Sequence, residues 1–306
     1  MGAYLRRRLL ALPLVLLGVS FVVFGAVRLL PGDPARLMAG EQATADAVAG
    51  MRARLGLDQP FLVQYGLFLG HALGGDLGTS IRSKQPVARE IASRFPYSAA
   101  LAATSYGVAI VIGTAAGVLA SVRPGGLRDR AVVLATTVMA SVANFWLALV
   151  CMNLFAVQLG WLPLLGAGSW PHYVLPTLSL GLLPTALIAR MTRSSMMEAL
   201  GQDFVRTARA KGLRERRVYL RHALRTALLP VITVVGLNFG GLLGGAVVTE
   251  TVFNWPGIGR LLVDSVRDRD YPMIESIVLL AVVSVVLINL LADAVISTID
   301  PRVRFG

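Results

Sequence analysis

Eight basic side chains lie between Arg206 and Arg225: Arg206, Arg209, Lys211, Arg214, Arg216, Arg217, Arg221 and Arg225. The one acid among them is Glu215. Such a run supplies charge and hydrogen-bond donors for docking a partner. Gly212 sits inside it, where a left-handed backbone can break one helix from the next. Other chemistry is thin. No GxxxxGK[ST] loop is present, and neither lysine, Lys84 nor Lys211, follows such a loop. HExxH, CxxC and G-x-S-x-G are absent too. His71, His172 and His222 are too far apart in sequence for a metal-ligand spacing. Cys151, the single cysteine, can form no intrachain disulfide and reads as a packing residue in an apolar run.

The elements that carry these residues are membrane spans. The 306 residues are 55% hydrophobic and 15% charged, too few charges to cover a soluble surface of this size. Mean hydropathy is +0.67. Spanning hydrocarbon takes about 20 apolar residues at about 1.5 Å each. Six segments qualify, near Leu9–Leu30, Ser98–Val122, Ala131–Leu159, Tyr173–Met191, Ala227–Val248 and Met273–Ile299. The first follows Arg6-Arg7-Arg8 and is too long for a signal-peptide core, so it reads as a retained helix. Pro176 and Pro184 predict a kink in the fourth.

Charge orients the spans. With both termini cytoplasmic, most of the 29 Lys and Arg fall on the inside: the N-terminus, Arg123, Arg128, Arg130, the loop from Arg190 to Arg225, and Arg302 and Arg304. The outer loop from Gly160 to His172 has none. The net charge of +12 therefore reads as topology and attraction to anionic lipid, and nucleic-acid binding is set aside. The expectation is an all-α integral membrane protein with six transmembrane helices and both termini cytoplasmic. It is one domain over 1–306, with a long extracytoplasmic helical loop at 31–97 and a cytoplasmic loop at 192–226. Ion-coupled transport needs acids or histidines deep in the bilayer. Asp293 alone is a poor relay, and Glu275 and Arg28 sit near outer ends of spans.

Within the 31–97 loop, ADAVAGMRARLGL predicts a short helix ended by Gly56, and Pro60 starts another. Val87, Ile91 and Phe95 recur every four residues and predict a separate amphipathic helix on the membrane surface. In the basic segment, a helix to Ala210, a turn at Gly212 and a second helix from Arg214 into the fifth span form an exposed element between two spans.

These residues carry a resemblance. RTARAKG, with His222-Ala223-Leu224 downstream, resembles the cytoplasmic loop of bacterial binding-protein-dependent ABC importer permeases, in the peptide branch. The wider superfamily pattern has Glu-Ala-Ala, three residues, Gly, nine residues, then Ile-x-Leu-Pro. Only Ala208, Gly212 and Leu224 keep it here. LPGDP at 30–34, LGLDQP at 55–60, GDLGTS at 75–80, ETVFNWPGIG at 250–259 and Asp300-Pro301-Arg302 also look like that branch. LPGDPARLMAG, PVAREIASRF and SWPHYVLPTLSLG look most like the glutathione-import permeases, although dipeptide and oligopeptide permeases share most of the blocks.

The resemblance implies a type I ABC importer permease in the inner membrane. This chain would hold no cofactor and no ATPase site, with ATP and Mg in partner subunits. The implied partners are a second homologous permease, two ATP-binding subunits, a periplasmic or lipid-anchored binding protein and membrane lipids. The segment 203–222 would couple to the ATPase through Arg206, Thr207, Ala208, Arg209, Ala210, Lys211, Gly212, His222 and Leu224. Glu250, Asn254, Trp255, Pro256 and Gly257 would meet the binding protein or gate the outer mouth. Asn144, Asn238, Gly241 and Gly245 are pathway candidates, although in-span Asn also suits interhelical hydrogen bonds and Gly suits close helix approach. A self-contained secondary transporter or channel and a membrane scaffold are the rival readings.

Overall fold

A chain crossing hydrocarbon must satisfy its own backbone, and helices do this within one segment. The computed structural model describes residues 2–29, 33–40, 43–54, 56–239 and 241–299, and side chains there except 2–12, 34, 37–38, 54, 237, 239, 241–245 and 293–299. Among the described residues the elements are helical, and one isolated bridge joins Thr79 to Pro86. The order is α1 (Gly2–Arg28), α2 (Pro34–Ala39), α3 (Ala45–Arg54), α4 (Phe61–Leu73), α5 (Val87–Ser121), α6 (Leu127–Ser141), α7 (Asn144–Cys151, continued by a π-helical stretch Met152–Gln158) and α8 (Pro171–Leu200). Then follow α9 (Asp203–Ala210), α10 (Glu215–Arg217, continued by a π-helical stretch Val218–Ala223), α11 (Leu224–Phe239), α12 (Gly241–Val252), α13 (Ile258–Asp268) and α14 (Tyr271–Ile299). Among the described residues, four helices are long and apolar enough to cross a membrane, or five if the bent pair α6–α7 counts as one span.

Three expectations change. The separate surface helix at 86–95 is not formed: α5 runs unbroken from Val87, with Pro96 inside it. Proline removes one helical bond there, and the turns upstream of it are held by Val87 and Ile91, buried against Leu261, Met273 and Ile277. The third span is not one helix: α6 and α7 meet at 100°. Thr136, Thr137 and Ser141 turn their hydroxyls back onto carbonyls at 133 and 137. Such back-bonding bends helices, and Val142 and Ala143 are extended. The fourth span does not end near Met191 but runs on to Leu200, with Pro176 and Pro184 inside it.

The chain divides into two compact units. In Met1–Tyr97 with Pro256–Ser284, one core gathers Val87, Ile91, Leu261, Met273 and Ile277, and another Val27, Ile81, Tyr271 and Ile274. Buried Asp270 holds the loop after Thr79, accepting from Ser80 Oγ at 2.5 Å and the Ile81 amide at 3.1 Å. In Ser98–Trp255 with Val285–Gly306, α5 meets α8 at close backbone approach. A Cβ on Gly113 would lie 2.8 Å from the Thr185 carbonyl, and one on Gly117 would lie 2.6 Å from the Ala189 carbonyl. Gly113-Thr-Ala-Ala-Gly117 is therefore a small-xxx-small seam that lets two backbones touch.

Candidate functional site

The basic element is built locally. Helix α9 buries Val205 and Ala208, three apart on one face, against Val218 and half-buried Leu213. Arg206, Thr207, Arg209, Ala210 and Lys211 are exposed. The helix ends in a Schellman motif, with Leu213 N–H donating to the Ala208 carbonyl at 3.3 Å and Gly212 N–H to that of Arg209 at 2.9 Å. Gly212 has φ of +72°, the left-handed region glycine occupies without penalty. The sequence reading of helix, glycine turn and helix matches this backbone.

Arg209 already has a partner within the element. Its Nε donates to Glu215 Oε1 at 2.9 Å and its Nη2 to Oε2 at 3.3 Å, forming a fork across the turn. That hydrogen bonding pushes the Arg209 guanidinium further above its already high range. Arg206 pairs loosely with Asp203 at 3.4 Å. His222 and Leu224 are half-buried where the chain rejoins the bundle. There Ala223 and Ala227 pack with Met196 and Ala199 of α8. The element is thus strapped to the ends of α8 and α11, with its basic face outward.

The same end of α8 carries a contact that sequence reasoning missed. Arg193 donates to Asp129 through Nε at 2.5 Å and Nη2 at 2.9 Å, and the Gly125 amide donates to the same carboxylate at 2.8 Å. Asp129 is 3% exposed. The sequence counted its neighbours only as topology charges.

The second candidate set falls on both units. Glu250 is wholly buried and accepts from Ser98 Oγ at 2.5 Å, while its carbonyl accepts from the Trp255 amide at 2.8 Å. Trp255 is also wholly buried, edge-on to Tyr173 at 4.6 Å and packed with Leu101, Tyr106 and Leu180. Asn254 is exposed at φ of +52°. Pro256 is half-buried, and Gly257 is the buried N-cap of α13. In this conformation only Asn254 of the five lies exposed.

The pathway candidates are scattered. Asn144 opens α7 and is half-buried. Asn238 is exposed and donates to the Val234 carbonyl of its own helix at 2.8 Å. Gly241 and Gly245 lie in α12, and Gly240 lies outside the described residues. The Asp293 side chain is also outside them.

A bundle of apolar helices with a basic, glycine-hinged element tied to two of them defines a multi-pass membrane translocation subunit by class. The family described as "Binding-protein-dependent transport system inner membrane component" matches residues 109–305, and "Binding-prot-dependent transport system membrane comp, N-term" matches 1–102. The chain belongs to this family of inner-membrane transport components. It is 49% identical over 302 residues to the glutathione transport system permease protein GsiC of Salmonella typhimurium, covering 99% of each chain. The Escherichia coli strain K12 protein of that name is 47% identical over the same share. In fold the chain is similar to the inward-facing MetNI methionine ABC transporter (TM-score 0.59, 19% identity, 69% of this chain and 96% of that one).

Proposed function

We propose that this chain is the permease subunit of an ATP-driven importer of short peptides, with glutathione the first substrate to test. Full-length identity of 49% to glutathione transport permeases supports the substrate class. One structural observation supports the mechanism: an exposed basic helix ends in a left-handed glycine turn, and the chain beyond it continues directly into a span.

In this reading the chain forms a single membrane domain over 1–306, crossing six times with both termini inside. It has no ATPase site. ATP and Mg sit in two partner ATPase subunits, beside a second homologous permease and a periplasmic or lipid-anchored binding protein. Closure of the ATPases pushes on 203–222, and the strapped ends of α8 and α11 move together. Arg206, Thr207, Ala210 and Lys211 offer the docking face. Arg209 stiffens the turn through Glu215, and Ala208, Gly212, His222 and Leu224 shape and anchor it. Asn254 is the point of first contact for the binding protein. Glu250, Trp255, Pro256 and Gly257 support the outer mouth, and Asn144, Asn238, Gly241 and Gly245 border the path.

The test is uptake of labelled glutathione and dipeptides by proteoliposomes holding the whole complex, with and without ATP inside the ATPase compartment. Uptake that requires ATP and the binding protein is expected. Gradient-driven transport by this chain alone would replace the importer reading with that of a secondary transporter or channel.

A further inference from the structure

Within the first unit, two cavities of 530 Å³ and 300 Å³ share walls made by Arg28, Leu57, Gln64 and Tyr271. The larger lies within the usual range for small-ligand pockets. Its polar end is an ion pair between chain segments far apart in sequence. Arg28 Nη1 donates to Glu275 Oε1 at 2.7 Å, and Arg28 Nε donates to Gln64 Oε1 at 3.0 Å. Among the described residues, Arg28 Nη2 and Glu275 Oε2 have no partner. Tyr271 is 6% exposed, and its hydroxyl is buried without a partner. Leaving such a group unpaired costs stability, which marks it as poised for something else.

The charges around the cavities limit what fits. Beyond the Arg28–Glu275 pair, Arg52 is already held by Asp33 at 2.6 Å, while Asp58 and Asp76 add negative charge at the walls. A simple anion would meet these acids, and a simple cation would meet Arg28. A ligand with one end of each sign satisfies both, and its body can lie on Phe24, Phe68 and Leu77.

We propose that this paired cavity binds a small zwitterion, an amino acid or short peptide with free ends. Its ammonium sits on Glu275 Oε2, its carboxylate takes Arg28 Nη2, and the Tyr271 hydroxyl turns to complete the carboxylate's bonds. The interest in peptides rests on the importer reading; the site itself does not.

The experiment uses the full chain with its partner subunits in lipid nanodiscs, without the soluble binding protein. Equilibrium binding is measured for glutathione, Ala-Ala, free alanine and Ala-Ala capped at both ends. Saturable binding of a free-ended probe is expected, at least about tenfold weaker for the capped peptide and for Tyr271→Phe. Because the hydroxyl is unpaired in the free protein, Tyr271→Phe should leave the thermal midpoint unchanged or higher, so lost binding is not lost folding. Tight alanine binding identifies a free amino-acid site; peptide-only binding identifies cargo in transit. No saturable binding, equal binding of the capped peptide, or wild-type binding by Tyr271→Phe overturns the inference. ATP-driven uptake without binding sinks this site alone. Binding without uptake supports the site and sinks the importer reading.

Discussion

At Gly212 a φ of +72° leaves open space around a would-be Cβ, so the constraint is backbone and not packing. Gly212→Ala should cost about 1–2 kcal/mol of left-handed strain and reduce ATP-driven uptake modestly. Gly212→Pro cannot reach that φ and loses the bond to the Arg209 carbonyl. It should insert normally, by protease accessibility of the flanking loops, yet abolish coupled uptake; normal uptake would remove the hinge from the mechanism. At Asp129 the fork from Arg193 makes a different demand. Arg193→Lys offers a point charge in place of two parallel donors and should lower the thermal midpoint less than Arg193→Ala, which strands a buried carboxylate. An equal loss for both would show that the fork geometry is irrelevant.

Among the elements, α5 and α8 depend on backbone approach at Gly113 and Gly117. A side chain there meets carbonyl oxygen that cannot swing away. Gly117→Val should destabilise the purified protein by about 1–3 kcal/mol through overpacking, read as thermal denaturation in detergent. Gly107→Ala on the same helix has nothing within 4 Å and should be neutral or slightly stabilising. If both variants melt alike, the seam does not carry the contact. The seam had a sequence signal, two glycines four apart in an apolar helix. The glycines near position 240 drew attention instead, because more of them cluster there. The bend between α6 and α7 was harder to see, since each hydroxyl there is compatible with a straight helix and only the three together compete with it.

For the whole molecule, the proposed topology of six crossings with both termini inside predicts which sites a membrane-impermeant thiol reagent can reach. With Cys151 replaced, a cysteine at Lys211 should label only after the inner face is opened, and one at Trp161 should label from outside. Reversed labelling would invert the topology and detach the basic element from any cytoplasmic ATPase. The sequence by itself determined what is local. Apolar runs of membrane length had to be helices, since hydrocarbon leaves the backbone no other partner, and a glycine among helix formers had to be the turn between α9 and α10. Tertiary structure alone decided what depends on which faces meet. Arg28 and Glu275, 247 residues apart, became a pair. Glu250 went inside to Ser98 although its loop looked fit for a partner, and Val87 with Ile91 carried α5 through a proline. No window of neighbouring residues contains those partners, so no local pattern could have named them.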